Sequence, residues 1–131
     1  MPETVFWDTA AFVALSNAQD ALHQQAVQVS MTLARAKALV LTTDAVLTEV
    51  ANTFSKRAWR PTAWHILESV QASVVLGVAK VVHIDAALWQ LGLHLHRSRA
   101  DKEWGLTDCL SFEVMQAHSV TQAFTSDCHF E

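Results

Sequence analysis

The stretch that decides the fold is VFWDTAAFVAL, at residues 5–15. Three large apolar residues lead directly into Asp8, and a second, Ala-rich apolar segment follows at once. Residues 5–7 are β-branched or aromatic, which is typical of a buried strand, whereas residues 9–16 have the composition of a helix. We therefore expect Asp8 to lie where a buried strand passes into a helix.

The same succession of strand and helix repeats along the rest of the chain. Further strands are predicted at 38–43, 80–84 and 121–126, and helices at about 21–36, 44–57, 62–76, 86–97 and 106–119. Asp44 and Asp85 are interpreted as N-caps, while Lys56 and Arg57 suit a helix C-terminus. This alternation predicts an α/β fold, with a mostly parallel sheet of four or five strands flanked by helices. One domain is expected to span residues 1–131.

Composition limits the class of protein. Of 131 residues, 51% are hydrophobic and 17% are charged, which is typical of a globular chain and not of a disordered one. The net charge of −4 gives no overall basic surface for nucleic acid, so such a partner would need a local basic patch or a metal. We expect no signal peptide and no membrane span, and the two cysteines suit reduced thiols in a cytoplasmic protein.

Four carboxylates occupy related positions in this pattern. Asp8 and Asp127 each follow a predicted strand, Glu49 lies one turn into the helix after the second strand, and Asp108 lies in the first turn of the last helix. In a parallel sheet these acids converge beyond the carboxyl ends of the strands, where ligands bind. Clustered carboxylates repel one another, and a divalent cation relieves that repulsion. Oxygen-only ligands favour Mg²⁺ or Mn²⁺ over zinc.

Each acid taken alone also has a structural interpretation. A carboxylate in the first turn of a helix often serves only as a cap or as a partner of the helix dipole. Glu49 by itself is typical of a solvated helix residue. The functional hypothesis depends on the set, because capping does not explain four acids at one edge of a sheet.

Four segments resemble the signature segments of PIN domains, particularly VapC-type toxins of bacterial type II toxin–antitoxin systems. They are VFWDTAAFVAL (5–15), LTEVANTF (47–54), DKEWGLTDCLSFEVM (101–115) and FTSDCHF (124–130). The resemblance spans nearly the whole chain, in the family's order. It implies an endoribonuclease that hydrolyses RNA phosphodiester bonds with Mg²⁺ or Mn²⁺, and whose catalytic and metal-binding acids are Asp8, Glu49, Asp108 and Asp127.

The resemblance also suggests supporting residues and partners. Asp101 matches an acid often present in the family, and it is a candidate for the second shell of the metal. Asn52 and Thr107 are candidates for the same role. Asn52 is at least equally well interpreted as a surface amide, and Thr107 as an N-cap. The implied partners are an RNA substrate, a cognate antitoxin that covers the acidic cleft, and a second copy of the chain in a homodimer.

Basic and aromatic residues supply candidates for RNA contacts. The RNA-binding candidates form two short basic groups: Lys56, Arg57 and Arg60, and Arg97, Arg99 and Lys102. Either group is equally well interpreted as the solvated end of a helix. Trp59 and Trp64 either stack on unpaired bases or pack against a protein partner, and the role of Trp104 stays open.

Two other hypotheses remain beside the nuclease. A catalytically inactive PIN-fold binding module would keep the fold, but all four acids are present here. A receiver-like phosphoacceptor domain also clusters acids and binds Mg²⁺, but it needs a Lys near the last strand, and residues 121–130 contain none.

Overall fold

Strands and helices alternate along the part of the chain that the computed structural model describes, residues 3–125. The strands are β1 (Thr4–Trp7), β2 (Leu39–Thr43), β3 (Ala79–Val82) and β4 (Ala123–Phe124). The helices are α1 (Thr9–Ser16), α2 (His23–Arg35), α3 (Asp44–Thr53), α4 (Arg60–Val75), α5 (Ala86–Ser98) and α6 (Leu106–Ala117), with a short 3₁₀ turn at Arg57–Trp59. The predicted α/β architecture is confirmed.

The strands form a parallel sheet in the order β3-β2-β1-β4. The chain moves outward from β1 through β2 to β3, and then crosses back to place β4 on the other side of β1. The strand order therefore reverses between β1 and β4. In open parallel sheets the crevice beyond the carboxyl ends of two such strands is where ligands bind. Asp8 follows β1 and Thr125 follows β4 at that point.

Successive side chains of β1 pack into two separate hydrophobic clusters. Phe6 lies in the larger cluster together with Leu41 and with side chains of α3, α4 and α6. Val5 lies in a smaller cluster with Phe124 and with Ala residues of α1 and α2. Because successive side chains of a strand point to opposite faces, this central strand is covered on both sides. That burial explains why residues 5–7 form a continuous apolar run, and it fixes the position of Asp8.

Two sequence-based expectations about α3 are wrong. Its N-cap is Thr43, whose hydroxyl accepts a hydrogen bond from the Val46 N–H at 3.0 Å. Asp44 is instead the first helical residue, and its carboxylate accepts the Ile84 N–H at 3.0 Å and lies 3.2 Å from His83 Nδ1. Asp44 therefore ties α3 to the segment after β3, a contact between residues forty positions apart.

The end of α3 also differs from the prediction. The helix ends at Thr53, and Phe54 turns its side chain into the core. Lys56 and Arg57 lie beyond the helix, at the start of the 3₁₀ turn, so they are not its last turn. The N-cap at Asp85 is confirmed, since its carboxylate accepts the Leu88 N–H at 2.8 Å.

Within residues 3–125, none of the helices combines the length and the apolar character needed to cross a lipid bilayer.

Candidate active site

A cleft of about 390 Å³ opens beyond the carboxyl ends of β1 and β4. Side chains of α1, α3 and α6 form its walls, together with the segment between α1 and α2. Four carboxylates line it, and we call it the acidic cleft: Asp8, Asp20, Glu49 and Asp108. Hydroxyl groups supply the other polar lining side chains, from Thr9, Thr53, Thr107, Ser111 and Thr125.

Asp8 is held firmly at the base of this cleft. It is the N-cap of α1, and its Oδ1 accepts the Ala11 N–H at 2.9 Å. Its own N–H donates to the Phe124 carbonyl at 3.3 Å, which joins it to β4. The side chain is half-buried. Asp8 is thus both a cap and a lining residue, so the structural and functional interpretations of this acid are compatible.

Glu49 and Asp108 approach the cleft from two different helices. Glu49 lies in the second turn of α3 and is exposed. Asp108 lies in the first turn of α6, where its Oδ2 accepts the Gly105 N–H at 2.9 Å. That hydrogen bond fixes the carboxylate near the helix N-terminus, whose dipole stabilises negative charge. Two of the acids at this edge, Asp8 and Asp108, therefore lie at helix N-termini.

Asp20 is a lining residue that the sequence did not single out. It lies in the turn between α1 and α2, and its Oδ1 accepts the Leu22 N–H at 2.9 Å. In the sequence Asp20 lies in a polar segment between two predicted helices, and it does not follow a predicted strand. The sequence pattern therefore gives no reason to place it at the edge of the sheet. The path of that turn places it in the lining of the acidic cleft.

A family model settles the relationship of the chain. The model of the PIN domain matches residues 5–131. The chain belongs to the PIN domain family. A solved structure with the same fold is that of a Mycobacterium tuberculosis toxin, VapC20, described as a toxin that cleaves the sarcin–ricin loop. Its TM-score is 0.79 at 25% sequence identity, over 97% of this chain and 96% of that one. No curated protein matches the chain in a sequence comparison.

The match removes one hypothesis about this PIN domain. A receiver-like phosphoacceptor domain is a different family, so the acidic cleft is not a phosphoacceptor site of that kind. An inactive PIN-fold module stays open, because family membership by itself does not establish chemistry.

The remaining predicted site residues of the PIN domain divide into three cases. Asp127 lies outside the described residues. Thr107 lines the acidic cleft in the second position of α6, and it is not the N-cap, which is Gly105. Asn52 is exposed on α3 and is not among the described lining residues. Asp101 is likewise absent from that lining, and both of its carboxylate oxygens accept hydrogen bonds from Arg99, each at 3.0 Å.

The donor chemistry of the acidic cleft fits a hard divalent cation. Within residues 3–125, no group of three or more His, Cys, Asp or Glu side chains is already close enough together to hold a metal ion. The lining does, however, offer carboxylate and hydroxyl oxygens, and none of its described residues is Lys, Arg, His or Cys. Thr9 Oγ1 is also buried there with no hydrogen-bond partner among the described residues. Such a set suits Mg²⁺ or Mn²⁺ and not zinc.

The two predicted basic groups are both on the surface. All six side chains are exposed: Lys56, Arg57, Arg60, Arg97, Arg99 and Lys102. The first group extends from the segment after α3 to the first residue of α4, and the second extends from the last turn of α5 into the loop that leads to α6. Since α3 and α6 both line the acidic cleft, each group is attached to a segment that borders it.

Proposed function

We propose that this PIN domain is a metal-dependent endoribonuclease, the toxin of a toxin–antitoxin pair. The observation that carries the proposal is the acidic cleft itself. Three of the four acids implied by the family resemblance, Asp8, Glu49 and Asp108, line one cleft although they are far apart in the sequence. The structural likeness to a toxin of M. tuberculosis supports the same activity.

The three acids, together with Asp127, would hold Mg²⁺ or Mn²⁺. A divalent cation in such a site lowers the pKa of water and offsets the negative charge that develops on a phosphate during hydrolysis. Asp8 is suited to holding an ion because its carboxylate is fixed by the Ala11 N–H and its backbone is joined to β4. Asp108 is similarly fixed by the Gly105 N–H. A ligand that is already oriented loses little conformational freedom when the ion binds.

The basic residues on the segments that adjoin α3 and α6 would bind the phosphates of the RNA. The lining of the acidic cleft contains no described Lys or Arg, so the cleft by itself repels RNA. Phosphate contacts would therefore come from segments that adjoin its walls: the basic group between α3 and α4, and the basic group at the end of α5. Contacts of this kind position the substrate without reading its sequence.

An antitoxin that covers the acidic cleft would need to neutralise it. An Arg or Lys side chain of the partner would form charge-assisted hydrogen bonds with Asp8, Glu49 or Asp108, in the place that the metal takes in the active enzyme. A homodimer is part of the same proposal, on the precedent of the family. A cytoplasmic location is also proposed, since RNA and a cognate antitoxin would be met there.

The proposal is tested by cleavage of an end-labelled RNA hairpin by the wild-type protein and by Asp8→Asn, with Mg²⁺, with Mn²⁺ and with EDTA. A DNA hairpin of the same sequence tests the choice of sugar, and a sarcin–ricin loop hairpin is included as one of the RNAs. We expect cutting that needs the metal, leaves 5′-phosphate and 3′-hydroxyl ends, and disappears in Asp8→Asn. A contaminating metal-independent ribonuclease is recognised because it cuts in EDTA and leaves cyclic phosphate ends.

Equal background cutting by both proteins, in preparations that bind Mn²⁺, would instead support the inactive binding module. Cutting of the DNA hairpin alone would replace the ribonuclease by a deoxyribonuclease that uses the same acids.

A further inference from the structure

One side of α5 exposes large apolar side chains to solvent. Trp89 is 43% exposed and Leu93 is 37% exposed, and because they are four residues apart they lie on the same side of the helix. Ala86 and His96, which are also exposed, extend this stripe at a spacing of three, four and three residues. We call the stripe formed by these four residues the α5 seam. Its spacing is typical of a helix that packs against another helix.

The α5 seam is not the side by which α5 packs on its own chain. Gly92 is buried against α6, where an added Cβ would lie 2.5 Å from the Leu110 side chain. Leu88 and Leu95 are half-buried on the same side of the helix as Gly92. At 3.6 residues per turn, the centre of the seam lies about a third of a turn away from this buried side. The seam is therefore free to meet a second molecule.

The two ends of the α5 seam carry opposite charges. Asp85 lies at the N-terminal end and Arg97 lies at the C-terminal end, and both are exposed. Among residues 3–125, Arg97 has no ion-pair partner. The seam thus has an apolar centre, an acidic end and a basic end.

A cleft of about 410 Å³ adjoins the acidic end of the seam, and its lining includes Asp44, Asp85 and Trp89. The backbone orients both carboxylates, since Asp44 accepts the Ile84 N–H at 3.0 Å and Asp85 accepts the Leu88 N–H at 2.8 Å. None of the described lining residues is Lys, Arg or His. An Arg side chain suits such a cleft, because a guanidinium pairs with carboxylates and stacks on aromatic rings.

The seam is complementary to itself under a two-fold rotation. Trp89 and Leu93 are each two residues from Leu91, and Asp85 and Arg97 are each six residues from it. When a second α5 lies antiparallel to the first, with the two-fold axis level with Leu91, residues at equal distances from it face each other. Trp89 of one copy then meets Leu93 of the other, and Asp85 meets Arg97. Each contact occurs twice, whereas a parallel arrangement would place like charges together.

We infer that two copies of this chain associate through the α5 seam, with α5 of one copy antiparallel to α5 of the other. The inference rests on the proposed function, which includes a homodimer, and it names the surface of that homodimer. Arg97 of each copy enters the cleft of the other and forms charge-assisted hydrogen bonds with Asp44 and Asp85. One chain supplies every described lining residue of the acidic cleft, so cleavage and metal binding do not require the second copy.

Sedimentation equilibrium of the full chain in EDTA, over a wide range of protein concentration, tests this surface. We expect the wild-type protein to change from monomer to dimer as its concentration rises. Leu93→Glu buries an unpaired charge twice in each dimer, and it should weaken the association at least about a hundredfold. The matched control is Leu91→Glu, which makes the same change at a 50% exposed position on another side of α5. It should associate as the wild type does.

Charge reversal tests the antiparallel arrangement. Arg97→Glu and Asp85→Arg each place like charges together twice in their own dimers, so each should associate at least about tenfold more weakly than the wild type. An equimolar mixture of the two variants should recover wild-type association, because both junctions of the mixed dimer then pair opposite charges. Circular dichroism checks that the variants fold. If Asp85→Arg does not, Asp85→Ser keeps an N-cap oxygen, and its loss of charge should weaken association several-fold.

A wild-type protein that stays monomeric at every concentration would overturn the inference, as would a Leu93→Glu variant that associates like Leu91→Glu. Mixed charge variants that stay apart would overturn the antiparallel arrangement. The proposed ribonuclease fails separately: in that case the dimer forms through the α5 seam, but the wild-type protein with Mn²⁺ does not cut RNA.

Discussion

Asp8 and Asp85 form a matched pair of helix N-caps, of which one lies in the acidic cleft. Asp8 has φ −93° and ψ 177°, and Asp85 has φ −92° and ψ 179°. Each carboxylate accepts an N–H three residues later, from Ala11 at 2.9 Å and from Leu88 at 2.8 Å. Replacing either by Ala removes the cap and should cost about 1 kcal/mol of unfolding free energy, within a range of about 0.5–2 kcal/mol. Asn retains an acceptor oxygen and should cost little at either position.

Substitutions at Asp8 and Asp85 should have similar effects on stability but different effects on RNA cleavage. Asp8→Asn removes a charged oxygen from the proposed metal site, and we expect cleavage to fall by at least about a hundredfold, since changes one shell further out already cost about 10- to 100-fold. Asp85→Asn and Asp85→Ala should cleave RNA at the wild-type rate under conditions in which they are folded. Urea unfolding followed by circular dichroism gives the stabilities, and single-turnover cleavage in saturating Mn²⁺ gives the rates.

Wild-type cleavage by Asp8→Asn would refute the reasoning, because the carboxylate would then serve only as a cap. An equal loss of activity in Asp85→Ala would refute it in another way, since activity would then follow helix capping and not the acidic cleft.

Three further predictions concern packing and ionisation. In Gly92→Ala, the new Cβ would lie 2.5 Å from Leu110 Cδ2, so overpacking of about 1–3 kcal/mol should outweigh the gain of about 1 kcal/mol in helix propensity. Urea unfolding should show a net loss of about 1 kcal/mol, and no loss from the same change made in a Leu110→Ala background. Cys109 is fully buried, and burial raises the pKa of its thiol, so in a variant lacking the other cysteine it should react with a thiol reagent only after unfolding. The hydrogen bonds from Arg99 lower the pKa of Asp101, so the stability that this pair contributes is present at neutral pH and is lost as the pH falls through the folded pKa. An NMR titration should place the Asp101 midpoint below its ordinary value, and Arg99→Ala should raise it.

The architecture could be predicted because its signals are local. Residues 5–7 read as a buried strand because β1 is covered on both faces, and the acid after it marks the strand end in any parallel sheet. Asp8, Glu49 and Asp108 were found by the same argument, since each lies near the carboxyl end of a strand or in the helix that borders it. That the three line one cleft follows from the sheet order, which places β4 beside β1.

The errors arise where contacts join distant parts of the chain. Asp44 looks like an N-cap in sequence, yet the N-cap is Thr43. The Asp44 carboxylate instead accepts a hydrogen bond from the Ile84 N–H, on the segment after β3. Asp20 lines the acidic cleft because of the conformation of the turn between α1 and α2, and the hydrophobic periodicity of the sequence does not predict that conformation. The role of Asp101 beside the metal, which the family resemblance implies, stays a prediction; both of its carboxylate oxygens accept hydrogen bonds from Arg99.

The central claim is that the acidic cleft holds a divalent cation, and calorimetric titration with Mn²⁺ in the absence of RNA tests it most directly. The account predicts saturable binding to the wild-type protein, and at least about a tenfold weaker affinity in Asp8→Asn, Glu49→Gln and Asp108→Asn. The control Asp85→Asn should bind as the wild type does. Unchanged Mn²⁺ affinity in all three cleft variants, or no binding to the wild-type protein, would contradict the account.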